Sequence, residues 1–128
     1  RCVYGVFDPV GYGADGKYGN EWDMTIWISD RGIESGRLKD ILIHEAAHAY
    51  SYLVLRGCVV PDGSSFRELA HKRYGDEEHL ADIFVLYYGG KWTNYDGREN
   101  IPIRDRSWMS NMIDYCNLYE EALATLKS

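Results

Sequence analysis

The sequence lacks the features that mark several large classes of protein. No apolar run approaches the ~20 residues of a membrane-spanning helix, because polar residues such as His44, His48 and Asp82 interrupt the longest apolar stretches. The formal net charge is −6, whereas nucleic-acid binders usually carry a basic face. No P-loop, GxSxG elbow or dinucleotide-binding fingerprint is present. We therefore expect neither a membrane nor a nucleic acid among its partners.

Cysteine is also scarce, with only Cys2, Cys58 and Cys116. None of them forms a CxxC pair, which argues against a zinc site built from thiolates. An odd number allows one disulfide and one free thiol, or three buried thiols that pack as small apolar side chains. The sequence leaves both arrangements open.

The length of 128 residues suits one compact domain over residues 1–128. A hydrophobic content of 45% is enough to form a core. The chain begins at Arg1 with neither a methionine nor an apolar leader, so we expect a processed protein or a domain of a longer one. Its location stays open, with a secreted or extracellular one favoured.

Residue patterns predict an α+β domain in which short strands precede a mainly helical remainder. Alternating and β-branched residues predict strands over 2–7 and 24–29, separated by a glycine-rich loop. A turn is predicted over 30–36. Apolar periodicity, caps and glycines then predict four helices. The first covers 37–56 with Gly57 in the left-handed position after it, and the second is capped by Ser65 and stops before Gly75. The third covers 77–88 and is capped by Asp76, and the last runs from Ser107 to about Lys127.

The motif that carries chemistry is His44-Glu45-Ala46-Ala47-His48, which has the form HExxH. Residues four apart share one face of a helix, so both imidazoles can offer a nitrogen to one zinc ion at about 2.0–2.1 Å. Glu45 lies about 100° round the helix from His44 and can take a proton from a water that the zinc activates. The flanking residues are apolar almost all round, which predicts a buried helix.

A catalytic zinc of this type takes three protein ligands, and we predict that the third is Glu78. It begins an ExxAD segment over residues 78–82 on a later predicted helix, where Glu78 and Asp82 share one face. Asp82 can then accept the free ring N–H of a zinc-bound histidine. Glu77 is expected to face outward, because the helix dipole favours an acid in the first turn without any tertiary contact. The alternatives for the third ligand are Asp82, His71, Glu77 and Glu68.

The segments HEAAH over 44–48 and EEHLADIF over 77–84 resemble the gluzincins, which are HExxH metallopeptidases whose third ligand is a Glu on a later helix. The ExxAD form looks like the minigluzincins and the ImmA/IrrE-type metallopeptidases, which also place short strands before the HExxH helix. The resemblance covers residues 24–88. It implies peptide-bond hydrolysis with zinc bound by His44, His48 and Glu78, with Glu45 as the base and with Asp82 beside a ligand.

The resemblance also implies an edge strand over 24–29 that aligns an extended peptide. Many gluzincins stabilise the oxyanion with a His or Tyr beyond the Glu ligand, but the only later histidine, His79, adjoins Glu78 and cannot easily turn to the same site. Another side chain must then take this role. The candidates are His71, Tyr87, Tyr88, Tyr95 and Tyr115.

The expected function is a zinc-dependent peptidase that holds one zinc ion per chain and acts on a peptide or protein substrate. Two alternatives remain: a zinc-stabilised protein-binding module without catalysis, and the peptidase domain of a larger lysin or toxin. The presence of Glu45 favours catalysis, because a structural zinc site does not need that acid.

Overall fold

The computed structural model describes residues 5–8 and 25–128 of the chain. Within this part, strands β1 (Gly5–Asp8) and β2 (Thr25–Ile28) pair in a two-stranded antiparallel ribbon. Both predicted strands are confirmed over the residues described. Most of the predicted glycine-rich loop, and Cys2, lie outside the described residues.

Helices make up most of the described chain after the ribbon. None of the described helices combines the length and the apolar character that crossing a membrane requires. In chain order they are α1 (Asp30–Glu34), α2 (Leu38–Leu53), a 3-10 turn (Leu55–Gly57), α3 (Phe66–Tyr74), α4 (Glu77–Tyr87) and α5 (Ile103–Lys127).

Side-chain caps explain where α3 and α4 begin. The Ser65 hydroxyl accepts the N–H of Glu68 at 3.1 Å, and the Asp76 carboxylate accepts the N–H of His79 at 2.8 Å. Each cap satisfies an N–H that the first turn of a helix leaves without an intrahelical partner. Both predicted caps are therefore confirmed, and together they place Glu77 and Glu78 in the first turn of α4.

Three local expectations were wrong. The predicted turn after β2 contains α1, because the Ser29 hydroxyl accepts the N–H of Gly32 at 3.1 Å and caps a short helix there. The last helix starts directly after Pro102, ahead of Ser107, and the Pro102 carbonyl accepts the N–H groups of Asp105 and Arg106, each at 3.0 Å. Gly57 has no positive φ and lies in the 3-10 turn.

The core lies between α2, α3, α4 and α5. A disulfide between Cys58 and Cys116, with Cα atoms 5.6 Å apart, joins the α2–α3 connection to α5 inside this core. The disulfide settles the pairing that the sequence left open. The larger buried side chains of the same core come from several elements: Leu55, Leu80, Ile83, Phe84, Met109 and Met112.

Helix α2 is less buried than its apolar sequence predicts. Ile41, His44 and Glu45 are buried, but Leu42 and Leu53 are 42% and 53% exposed. The expectation of a helix buried on all sides was therefore wrong, and α2 turns only its histidine-bearing side inward. With helices dominant and a single short ribbon, the α+β class is confirmed only in part.

Candidate metal centre

The two histidines of the HExxH motif face one point beside α4. Their Nε2 atoms lie 3.2 Å apart, and their rings meet edge to face with centroids 4.8 Å apart. His44 is buried and His48 is largely so. The spacing of four residues on α2 thus brings two ring nitrogens together, as the sequence predicts.

Glu78 in the first turn of α4 reaches the same point. Its Oε1 atom lies 2.6 Å from Nε2 of His48 and 3.8 Å from Nε2 of His44. One ligand atom from each of the three residues lies within 4.8 Å of the others. Among the described residues, this is the group of His, Cys, Asp and Glu side chains that is close enough to hold a metal ion.

A further carboxylate stands behind each histidine. Asp82 Oδ1 lies 2.9 Å from Nδ1 of His44, and Glu77 Oε2 lies 2.8 Å from Nδ1 of His48. An ionised carboxylate only accepts hydrogen bonds, so each neutral histidine carries its proton on Nδ1 and turns the Nε2 lone pair toward the centre. Partners of this kind fix the tautomer and the orientation of metal-binding histidines.

The inward position of Glu77 corrects the expectation that it faces outward. Its side chain is only 24% exposed and contacts His48. The helix dipole acts within α4 alone, whereas α2 and α3 supply hydrogen-bond donors to this side chain. Asp82, by contrast, lies beside a histidine of the motif, where it was predicted, and is fully buried.

The histidines and carboxylates of the centre shift one another's pKa values. Burial opposes protonation of His48, but hydrogen bonds with Glu77 and Glu78 outweigh it and raise its pKa to about 9. Burial likewise opposes protonation of His44, whose pKa is raised by Asp82 and Glu78. Burial acts to raise the pKa of Glu77, yet its bonds to neighbouring donors lower that pKa to about 2. The centre therefore attracts positive charge, from a proton or from a metal ion.

The arrangement could hold a metal ion. Ligands about 2.0–2.1 Å from a tetrahedral ion lie about 3.3 Å from one another, close to the 3.2 Å between the two Nε2 atoms. Two imidazole nitrogens and one carboxylate oxygen also form a donor set that catalytic zinc sites use. Without a metal ion or an added proton on a ring, two ring lone pairs and the carboxylate of Glu78 would face one another, which is electrostatically unfavourable.

Glu45 lies beside the centre and is only 5% exposed. Its negative charge favours the protonated form of both His44 and His48, so it acts electrostatically on both rings. Strand β1 approaches it closely: a Cβ on Gly5 would lie 3.1 Å from Cγ of Glu45 and 3.0 Å from the carbonyl oxygen of Trp27. The missing side chain of Gly5 thus lets the ribbon pack against the acid.

A loop over residues 91–98 lies next to His44. The Oδ2 atom of Asp82 accepts the N–H groups of Tyr95 and Asp96 at 2.5 and 2.8 Å. The Tyr95 ring stacks on the His44 ring with centroids 5.9 Å apart and planes inclined by 25°. Asp82 therefore orients the histidine with one oxygen and holds the loop with the other.

The start of this loop is held by α2. The Asp40 carboxylate accepts the N–H groups of Lys91 and Trp92 at 3.2 and 3.0 Å. A Cβ on Gly90 would lie 2.6 Å from Oδ1 of Asp40 and 2.6 Å from Cγ1 of Val85. Glycine at this position is therefore needed for the loop to reach α2.

We expect Gly90→Ala to lower the free energy of unfolding by about 1–3 kcal/mol, because an added methyl group overpacks this junction. Urea denaturation followed by circular dichroism measures the change. Gly57→Ala is the matched control, since its Cβ would meet no atom within 4 Å and its φ is not positive. The control should be neutral or up to ~1 kcal/mol more stable, and equal losses in both variants would contradict the packing argument.

The predicted oxyanion stabilisers lie in different parts of the structure. His71 adjoins the centre through Glu77, with Nε2 and Oε1 2.6 Å apart. The Tyr87 hydroxyl shares a hydrogen bond with a serine of α5, and the Tyr115 hydroxyl donates to a main-chain carbonyl after α2. Tyr95 lies beside a histidine of the centre. The identity of the oxyanion stabiliser stays a prediction.

Two contributions to the site were missed in the sequence. Gly5 leaves no local signal, because its role depends on a strand that meets α2 only in the folded chain. For Glu77 a signal existed, since two adjacent acids open a helix that is otherwise strongly apolar. A helix buried on most of its surface has few outward positions, which could have suggested that both acids point inward.

The fold and these side chains define a candidate metal centre of two histidines and one glutamate, carried by two packed helices. Comparisons of the chain with models of known protein families, with curated proteins and with solved structures found no match. The function must therefore be inferred from the residues of the centre.

Proposed function

We propose that the chain is a zinc-dependent peptidase that hydrolyses peptide bonds. The observation that carries the proposal is the convergence of His44, His48 and Glu78, whose ligand atoms lie within 4.8 Å of one another beside the buried acid Glu45. The donor set favours zinc. The acid favours catalysis over a purely structural site, since such a site does not need it.

The residues around the centre have distinct parts in this mechanism. When bound, zinc supplies a Lewis acid that polarises a carbonyl and lowers the pKa of a water molecule to roughly 7. Glu45 takes the proton of the attacking water and passes it to the leaving amine. Asp82 and Glu77 hold the two imidazoles in the tautomer that leaves Nε2 free.

The ribbon beside Glu45 supports an extended peptide as the substrate. Within the described residues, β1 and β2 each pair along one edge only. A strand with an open edge can bind an extended chain through main-chain hydrogen bonds. Because β1 packs against Glu45, a peptide added beside β1 would pair with the strand that contacts the acid.

The first test is metal content. The purified protein should hold about one zinc ion per chain, and zinc at 1,000 times its dissociation constant should add about 4 kcal/mol to the free energy of unfolding. Elemental analysis after dialysis and calorimetry with and without a chelator measure both. His48→Ala should lose the metal, whereas the control His79→Gln, at a residue paired with Asp76 near the surface, should keep it. A chain without stoichiometric zinc would refute the proposal.

Cleavage is then tested with the zinc-loaded protein on a library of peptides that includes cell-wall peptides. Cleaved peptides identified by mass spectrometry would support a peptidase, and cleavage restricted to cell-wall peptides would identify a lysin-type substrate. Bound zinc with no cleavage in the whole library would instead favour a zinc-stabilised binding module.

A further inference from the structure

The surroundings of Glu77 are richer than those of an ordinary acid in the first turn of a helix. One oxygen, Oε2, meets Nδ1 of His48 at 2.8 Å. The other, Oε1, meets Nε2 of His71 at 2.6 Å, the hydroxyl of Ser51 at 2.7 Å and Nε of Arg67 at 3.3 Å. An ionised carboxylate only accepts hydrogen bonds, and both oxygens of Glu77 have donors, three of them on Oε1.

The donors on Oε1 also support one another. Arg67 donates to the Ser51 hydroxyl at 3.1 Å, and that hydroxyl in turn donates to Glu77. Ser51 is fully buried on α2, while Arg67 and His71 come from α3. The carboxylate therefore has one orientation that serves all of its donors, and α2 and α3 together define it.

Glu77 and Asp82 occupy equivalent places behind the two histidines but are anchored differently. Main-chain N–H groups of the 91–98 loop hold Asp82. Side chains of α2 and α3 hold Glu77. The position of α3 is thereby linked to the ring of His48 through a single carboxylate.

We propose that Glu77 is a positioning residue of the metal centre that orients His48, and that Ser51, Arg67 and His71 form a clamp that holds Glu77. The inference rests on the proposed function to the extent that the centre binds zinc. It adds a role for α3, a helix that contributes no metal ligand. Mutation of a partner of this kind commonly weakens metal binding about 10- to 100-fold.

The test measures zinc dissociation constants by competition with a chromogenic chelator. We expect Glu77→Ala to weaken zinc binding about 10- to 100-fold and His71→Gln to weaken it by a smaller factor. Glu77→Gln should not restore the affinity, because its amide carries one acceptor oxygen and must turn its NH2 group toward either His48 or the clamp. The control Lys72→Gln, at an exposed residue beside His71, should bind zinc like the wild type.

A double-mutant cycle separates the clamp from a general loss of stability. With Glu77→Ala already present, adding His71→Gln should change zinc affinity by less than about twofold, because the partner through which His71 acts is gone. Cobalt in place of zinc gives a second measure: its visible absorption should change in Glu77→Gln at full occupancy, since the His48 ring is reoriented. If Glu77 only links α3 to α4, its replacement would lower the stability of the metal-free protein and leave the cobalt spectrum unchanged.

The outcomes distinguish this inference from the proposed function. A wild-type chain that binds no zinc refutes both. A wild-type chain that binds zinc, together with Glu77→Gln and His71→Gln variants of equal affinity and unchanged cobalt spectrum, refutes the positioning role alone. If Glu77→Ala does not fold, these two variants still decide the question, because each replaces a polar side chain by another of similar size.

Discussion

Glu45→Gln is expected to reduce peptide hydrolysis by about 10²- to 10⁴-fold, the range that a positioned general acid or base contributes, without loss of bound zinc. Glutamine keeps the shape of the side chain but cannot take a proton. The residue is buried beside the centre and is not among the three groups that converge there, so zinc binding should persist. The measurement pairs kcat/KM on a cleaved library peptide with the zinc content of the same sample.

The control for this variant is Glu121→Gln, which makes the same chemical change at an exposed residue of α5. It should hydrolyse the peptide like the wild type. A Glu45→Gln protein that holds zinc and still cleaves at the wild-type rate would exclude Glu45 as the base. Loss of zinc in that protein would place Glu45 among the ligands instead.

Removal of the Cys58–Cys116 disulfide is expected to lower the free energy of unfolding by about 4 kcal/mol, by the chain-entropy estimate for a loop of this length. The two cysteines are 58 residues apart in the sequence, and both are fully buried in the core. The cross-link restricts the unfolded chain across the segment that contains α3 and α4. Urea denaturation of the Cys58→Ala/Cys116→Ala variant measures the loss.

The double variant also removes two buried sulfur atoms, so wild-type protein with a reducing agent is the necessary control. That sample keeps both side chains and lacks only the covalent bond. Both samples should be less stable than the wild-type protein with its disulfide. The loss should be larger in the variant, because the removed sulfur atoms leave a cavity. A change of less than about 1 kcal/mol in the reduced wild type would contradict the expected contribution of the cross-link.

Features that depend on neighbours in sequence were predictable. The caps at Ser65 and Asp76 bond N–H groups three residues ahead, so the local residue pattern is sufficient to identify them. The pairing of His44 with His48 follows in the same way from helical spacing. The grouping of these histidines with Glu78 needed one tertiary fact, namely that α2 and α4 pack side by side.

Features that depend on distant contacts were not predictable from local patterns. The start of α5 lies near Asp105, which bonds Arg73 of α3 at 2.9 Å and the hydroxyl of Tyr74 at 3.0 Å. The 91–98 segment has no periodic pattern, and its path depends on bonds to Asp40 and Asp82. Such contacts join residues that no spacing rule relates.

The sequence by itself determined that His44 and His48 can share a metal ion, because the period of an α-helix sets which residues lie on one face. Only the tertiary structure decided which of the available acids take part. Glu77 and Glu78 are adjacent on α4, and their separate contacts with His48 arise because α2 and α3 enclose that turn. The direction of a charged side chain depends on which packed neighbours supply hydrogen bonds once water is excluded, and that is settled only when the helices meet.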